Sequence, residues 1–230
     1  MDIQKTGGST TANGRSQAIF EELRNRICFL IYPPGTRLGE IELANEFGVS
    51  RTPIRRVLAG LEMRGLVQAQ HGVGTIVTEI QDKTLFQTYE LRKELSLLLA
   101  RLSPTADSQK IATAVKPLIA KLLALPDEPC VTDYARINAA FFQELLQITD
   151  NEPLKEICEN LYFLTSRIWV HSIPQSSLRE EVRVFHREME EVLDALLSGD
   201  IQAVGYIRWM HINLSYKRLR SRNTTAQQED

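Results

Sequence analysis

The sequence predicts a mainly α protein, with an N-terminal winged helix-turn-helix followed by an all-α bundle of six helices. Three observations predict it. Residues 40–64 read as helix, glycine turn and basic helix; residues 66–77 read as two short strand-like runs around a glycine-containing turn; beyond residue 83 the apolar residues recur with helical period and no strand signal of any strength appears.

In residues 40–47, Ile41, Leu43, Ala44 and Phe47 fall at helical spacing, and Gly48 is the small residue expected just past a helix end, where positive φ is often needed. After Val49, Ser50 and Arg51, Thr52 stands as an N-cap and Pro53 at the first helical position, where proline is best tolerated. The helix that starts there would bury Ile54, Val57, Leu58 and Leu61 and expose Arg51, Arg55, Arg56 and Arg64, with only Glu62 opposing them. Helix, turn and basic helix in this order form a helix-turn-helix. The runs 66–70 and 75–77 around His71 to Gly74 form a wing. A two-stranded hairpin is not stable alone in water, so Leu66, Val67, Ile76 and Val77 should pack on the helices while the tip stays free. Ahead of these elements, Ile19, Phe20, Leu23, Ile27, Leu30 and Ile31 place a supporting helix over 16–31, stopped by Pro33, Pro34 and Gly35. Its Arg24 and Arg26 are expected to face solvent.

The remaining chain divides into helices over 83–102, 106–125 with a kink at Pro117, 132–148, 152–170, 177–197 and 200–221, separated by proline, glycine and aspartate breakers. The fourth carries the stripe Leu154, Ile157, Leu161, Leu164 and Ile168. Six such helices can bury a core of their own. The expected organisation is a disordered tail over 1–14, a winged helix-turn-helix over 15–78, a linker over 79–83, a helical domain over 84–222 and a second disordered tail over 223–230.

Composition excludes several classes. With 43% hydrophobic and 24% charged residues, the 230-residue chain is ordinary for a soluble globular protein. Cys28, Cys130 and Cys158 are odd in number, far apart and without metal-ligand spacing, which suits free thiols in a reducing cytoplasm. No apolar run approaches the roughly 18 residues of a membrane span, and the polar residues 1–14 lack the core of a signal peptide. The net charge of −2 conceals a weak division, nine Lys/Arg against eight Asp/Glu in residues 1–80 and 18 against 21 beyond them. The informative feature is the local cluster of four arginines at one helix. Neither paired carboxylates nor a Cys/His nucleophile arrangement supports an enzyme.

Pro33 to Leu38, then GVSRTPIR, then GLV and HGVGT, resemble the winged helix-turn-helix of the GntR family of bacterial regulators, in that family's order and spacing over about the first third of the chain. The resemblance implies DNA contacts from Ser50, Arg51, Thr52, Arg55, His71 and Gly72. Arg56 stands where a glutamate is common and adds a positive charge, while Ile41 replaces an arginine that some members carry. The helical part, opening with TYELRKELSLLLARL and closing with LLSGDIQAV and RWMH, resembles the FCD ligand-sensing domain of the FadR branch, and six helices suit its VanR-like subgroup. That resemblance implies that Arg92, in an E-x-R with Glu90, reaches an effector pocket and holds a carboxylate; a surface or interdomain ion pair is the alternative. The family's metal ligands fall on Asn138, Phe142, Met189 and His211, three of the four altered, so no cofactor is expected. His186, three residues before Met189, and His211 are the residual candidates for a metal. The expectation is instead an apolar cavity lined by Asn138, Phe142 and Met189, with His211 hydrogen-bonded inside it. Phe141, Tyr162 and Trp209 would add to its apolar body, and Arg92 or Arg167 would hold an acidic end.

The resulting expectation is a cytoplasmic homodimer that binds a pseudo-palindromic operator in double-stranded DNA and represses until a small acidic metabolite binds the helical domain. Two readings compete: a metal-dependent helical enzyme or sensor fused to a DNA-binding module, and a constitutive DNA-binding protein with no effector.

Overall fold

Ile19, Leu23 and Ile27, one turn apart, form the buried stripe of α1 (Ala12–Cys28) in a computed structural model that describes residues 12–79 and 82–226. The helix begins inside the stretch expected to be a tail, the rest of which lies outside the described residues. It ends earlier than the periodicity suggests: Leu30 takes a positive φ of 60° and Ile31 is exposed, so the chain turns before Pro33. Arg26 is not solvent-facing. Its Nη1 donates to Tyr32 Oη at 2.8 Å and lies 2.6 Å from Glu46, while Nε donates to Glu22 at 2.7 Å.

Helix α2 (Glu40–Phe47) stops at Gly48, which adopts the left-handed conformation (φ 59°, ψ 44°) and hands the chain to α3 (Arg51–Met63). The cap of α3 is Ser50, two residues before the expected Thr52, and Pro53 occupies the third helical position. That position still lacks an intrahelical acceptor, so the proline costs no hydrogen bond. Ile54, Val57, Leu58 and Leu61 are buried as expected.

The sheet has three strands rather than two: β1 (Arg37–Leu38), ahead of α2, then β2 (Val67–Gln70) and β3 (Gly74–Val77), antiparallel in the order β1-β3-β2. The unforeseen β1 pairs Leu38 with Thr75, which gives β3 a neighbour on both sides and removes the weakness of an isolated hairpin. Leu66, Val67 and Val77 are buried and Ile76 only half-buried. Glu62 faces the wing, not the arginines, and accepts the Ala69 amide at 2.7 Å.

These elements belong to one compact unit, Met1–Glu79, and the helical elements to a second, Ile80–Asp230. Part of the expected linker, residues 80–81, lies outside the described residues. The second unit contains α4 (Asp82–Arg101), α5 (Ser108–Leu123), α6 (Val131–Leu145) with a 3₁₀ turn at Leu146–Ile148, α7 (Glu152–His171), α8 (Gln175–Ser198) and α9 (Ile201–Ala226). Asp107 and Asn151 cap α5 and α7 through the amides of Lys110 and Leu154, each at 3.1 Å. Pro117 sits inside α5, and α9 runs four residues into the expected C-terminal tail.

Leu178, Val182, Phe185, Met189, Val192 and Leu196 form a buried spine along α8, against which α5 and α9 pack. The buried face of α7 differs from the expected stripe: Cys158, Tyr162, Thr165 and Trp169 point inward, while Ile157 is half exposed. At the crossing of α4 and α9 the backbones approach closely, and a Cβ at Gly205 would lie 2.8 Å from Ala100 Cβ and 3.1 Å from Ser96 O. Near the far end of α9, the buried carboxylate of Glu181 accepts from Arg218 Nε at 2.9 Å and is also held by Arg222.

Candidate nucleic-acid interface and effector cavity

Ser50, Arg51, Thr52, Arg55 and Arg56 sit together at the start of α3 because the Gly48 turn ends α2 there, and all five are exposed. His71 and Gly72 are exposed at the turn between β2 and β3. Sequence reasoning missed Glu40. Its Oε2 accepts from Arg55 Nε at 2.8 Å and from Arg51 Nη2 at 2.9 Å, so two of the four arginines are opposed from α2. The exposed guanidinium of Arg55 remains suited to bidentate recognition of a guanine edge.

In the helical unit, a small cavity opens among α4, α6, α7, α8 and α9. Arg92 enters it from α4, donates to Thr165 Oγ1 at 2.7 Å, and lies over the rings of Tyr89 and Tyr162. Tyr162 donates to Asn138 Oδ1 at 2.8 Å and stacks on Phe142 with the ring centres 3.9 Å apart. Arg208 forms an ion pair with Glu188, and Ser166, Ser215 and His211 add polar groups to the wall beside Ile212. Trp169 also lines the cavity, and its buried indole N–H has no hydrogen-bond partner among the described residues. Behind Arg92, Arg208 and Ile212 lies a second small cavity, lined by Leu95, Leu99, Phe142, Leu145, Ile148 and Cys158. Burial pushes the Cys158 thiol up to about 12, as an apolar wall requires.

The structure therefore brings together Arg92, Asn138 and His211 in the polar cavity and Phe142 in the apolar one. Two expected residues do not join them. Arg167 is fully buried and lines neither cavity, because two residues beyond Thr165 turns it about 200° around α7. Met189 belongs to the α8 spine, and its neighbour Glu188 faces the cavity in its place. Arg208, missed in the sequence, lies one turn before His211 on α9, and that spacing could have found it. Phe141 packs against Phe185, and Trp209 donates to Glu94 at 3.3 Å, so neither lines the cavities.

These positions do not fit the metal of related domains. Asn138 Oδ1 is engaged by Tyr162, Phe142 offers no donor and Met189 faces the core. His186 lines an outer groove between α5 and α8 beside Arg183 and Arg187, 3.4 Å from Glu190, and does not share a site with His211. Among the described residues no group of three or more His, Cys, Asp or Glu side chains has metal-holding geometry.

His211 Nε2 lies 2.8 Å from Glu191 Oε2, and Nδ1 lies 3.8 Å from Glu188. Burial, the larger influence, lowers the imidazole's pKa against the opposing pull of Glu191. The unfolded state therefore binds the extra proton first, and stability from this group is present above the ordinary histidine value of about 6.5 and lost as pH falls below it. Thermal unfolding of the helical unit should shift downward between pH 7 and pH 5, and His211→Gln should remove part of that shift. An unchanged slope in the variant would exclude His211 as its source.

Two family profiles match the sequence: bacterial regulatory proteins, gntR family, over residues 15–77, and the FCD domain over residues 87–214. The chain belongs to the GntR family of bacterial regulatory proteins and carries an FCD domain. It is 30% identical over 143 residues to the HTH-type transcriptional regulator YdhC of Bacillus subtilis (strain 168), a match covering 62% of this chain and 64% of that protein, less than two thirds of its length. It is 24% identical over 212 residues to the HTH-type transcriptional repressor RspR of Escherichia coli (strain K12), covering 91% and 92% of the two chains. In fold it resembles E. coli McbR/YncC, with a TM-score of 0.75 at 20% identity over 91% of this chain and 98% of that one. Among the described residues no helix is long and apolar enough to cross a membrane.

Proposed function

We propose that the protein is a homodimeric cytoplasmic repressor that leaves a pseudo-palindromic operator when a small organic acid enters the helical unit, without the help of a metal. The observation that carries this reading is the placement of Arg92 and Arg208 at the junction of a polar and an apolar cavity. A carboxylate there meets two guanidiniums, and an apolar body enters the space lined by Leu95, Leu99 and Phe142. The six helices fit the VanR-like subgroup. Ser50, Arg51, Thr52, Arg55 and Arg56 are assigned to the major groove and its flanking phosphates, and His71 and Gly72 to the wing contact.

Aromatic, acyl and short dicarboxylic acids, screened one by one for a shift in melting, test the effector. At about 100 times its dissociation constant a fitting acid adds roughly 2.7 kcal/mol, a rise of about 5–10 °C, and releases bound DNA. Chelator should change neither melting nor DNA binding. About one transition metal per chain, with effector binding lost on chelation, would falsify the metal-free reading.

One chain carries one recognition helix, so two half-sites require two chains. Helices α4 and α7 pack together and leave Leu91 and Leu98 on one and Ile157 on the other exposed, with Leu102 exposed just past the end of α4, and this apolar face is assigned to the dimer. Leu98→Glu combined with Ile157→Glu should yield monomers in sedimentation with little change in melting of the monomer's helical core. A dimer that survives both charges would place the interface elsewhere.

A further inference from the structure

Glu40 stands on the first turn of α2, one element before the residues assigned to DNA, yet its carboxylate is held by the recognition helix. One oxygen, Oε2, accepts from Arg51 Nε at 3.2 Å, Arg51 Nη2 at 2.9 Å and Arg55 Nε at 2.8 Å. The two arginines use this oxygen differently. Arg51 presents its side edge, whereas Arg55 gives Nε alone and keeps its Nη1 and Nη2 end for another acceptor. Those two parallel donors match O6 and N7 of guanine. Arg55 is 60% exposed and Glu40 31%, so this end remains accessible while the carboxylate is partly shielded.

Guanine and phosphate meet this arrangement on unequal terms. A guanine edge is uncharged and can take the end of Arg55 with the Glu40 contact intact. A phosphate brings a second anion close to the carboxylate, which offsets the sequence-independent attraction that dominates binding to unrelated DNA. Arg51, then Arg55, holds the Glu40 carboxyl below the usual carboxylate range, so the negative charge persists at neutral pH.

We propose that Glu40 is a specificity-determining positioning residue, which aims the end of Arg55 at a guanine and weakens the recognition helix's hold on the phosphates of unrelated DNA. This rests on the assignment of Arg55 to base recognition.

The experiment uses the full chain and two duplexes of about 30 base pairs, one enriched by the wild-type protein from a random pool and one of scrambled sequence, at fixed salt. Glu40→Gln keeps the size of the side chain and removes its charge. Binding of the scrambled duplex should tighten by roughly threefold to tenfold, the range expected from releasing two exposed ion pairs, while the enriched duplex does not tighten. In an Arg55→Lys background, which lacks the Nε donor, Glu40→Gln should no longer alter binding of the enriched duplex beyond its effect on the scrambled one. Equal changes on both duplexes in the native background, or weaker binding of the scrambled one, overturn the proposal. A wild-type chain that enriches no sequence overturns the base-reading role of α3 itself, which separates the two failures.

Discussion

Replacing Arg55 with alanine is expected to weaken operator binding by about 1–3 kcal/mol, the discrimination carried by one bidentate contact to a guanine, and to relax sequence preference at one position per half-site. The guanidinium projects from the second turn of α3, whose opposite face is fixed by the buried Ile54, Val57, Leu58 and Leu61, so its origin is rigid even though its tip is exposed. Affinity for unrelated DNA should fall less, because that binding depends on summed phosphate contacts. Both constants must be measured at the same salt. If specific and non-specific affinity drop by the same factor, Arg55 contacts only the backbone. Arg56→Ala provides the contrast, a nearly uniform loss across sequences with a smaller salt slope.

The largest expected effect on stability comes from Glu181→Ala. This carboxylate is 2% exposed and serves as the counterion of both Arg218 and Arg222, which reach it from the last turns of α9. Alanine leaves two largely covered guanidiniums without an anion, and breaking a buried pair from one side typically costs about 3–5 kcal/mol. Because Arg218 is 29% exposed and can regain water, the lower end applies, about 3 kcal/mol. For a unit of this size that corresponds to roughly 6–12 °C in melting temperature, read in the helical transition if the two units melt separately. A loss below about 2 °C would show that solvent replaces the carboxylate without difficulty.

Both variants test features that differ in how far they could be read from the residues. The helices of the second unit were legible because proline, glycine and aspartate breakers punctuate them, and Asn151 caps α7 within one such break. Strand β1 was not, since two residues carry no period and its existence depends on pairing Arg37 with Ile76 and Leu38 with Thr75, far along the chain in β3. The cavity was half legible. A resemblance transfers position along a helix well, but an error of one residue rotates a side chain by about 100°, and Met189 and Glu188 differ by that step. Arg167 failed for the same reason, and Glu40 because an ion pair between two helices leaves no mark in the local sequence of either.

Gly205 sets a mechanical limit on the helical unit. A glycine inside a helix costs about 1 kcal/mol relative to alanine, and here the missing methyl lets α4 and α9 touch at a distance no larger side chain would allow. Ser96 Oγ, 3.4 Å from the Gly205 carbonyl oxygen, reinforces that contact. At so short a distance no side chain fits between the two backbones, and α4 and α9 meet as a single stiff pair. Gly205→Val, by forcing the two shafts apart, should lower the melting temperature of the helical unit, and an unchanged melt would show that the crossing yields without cost.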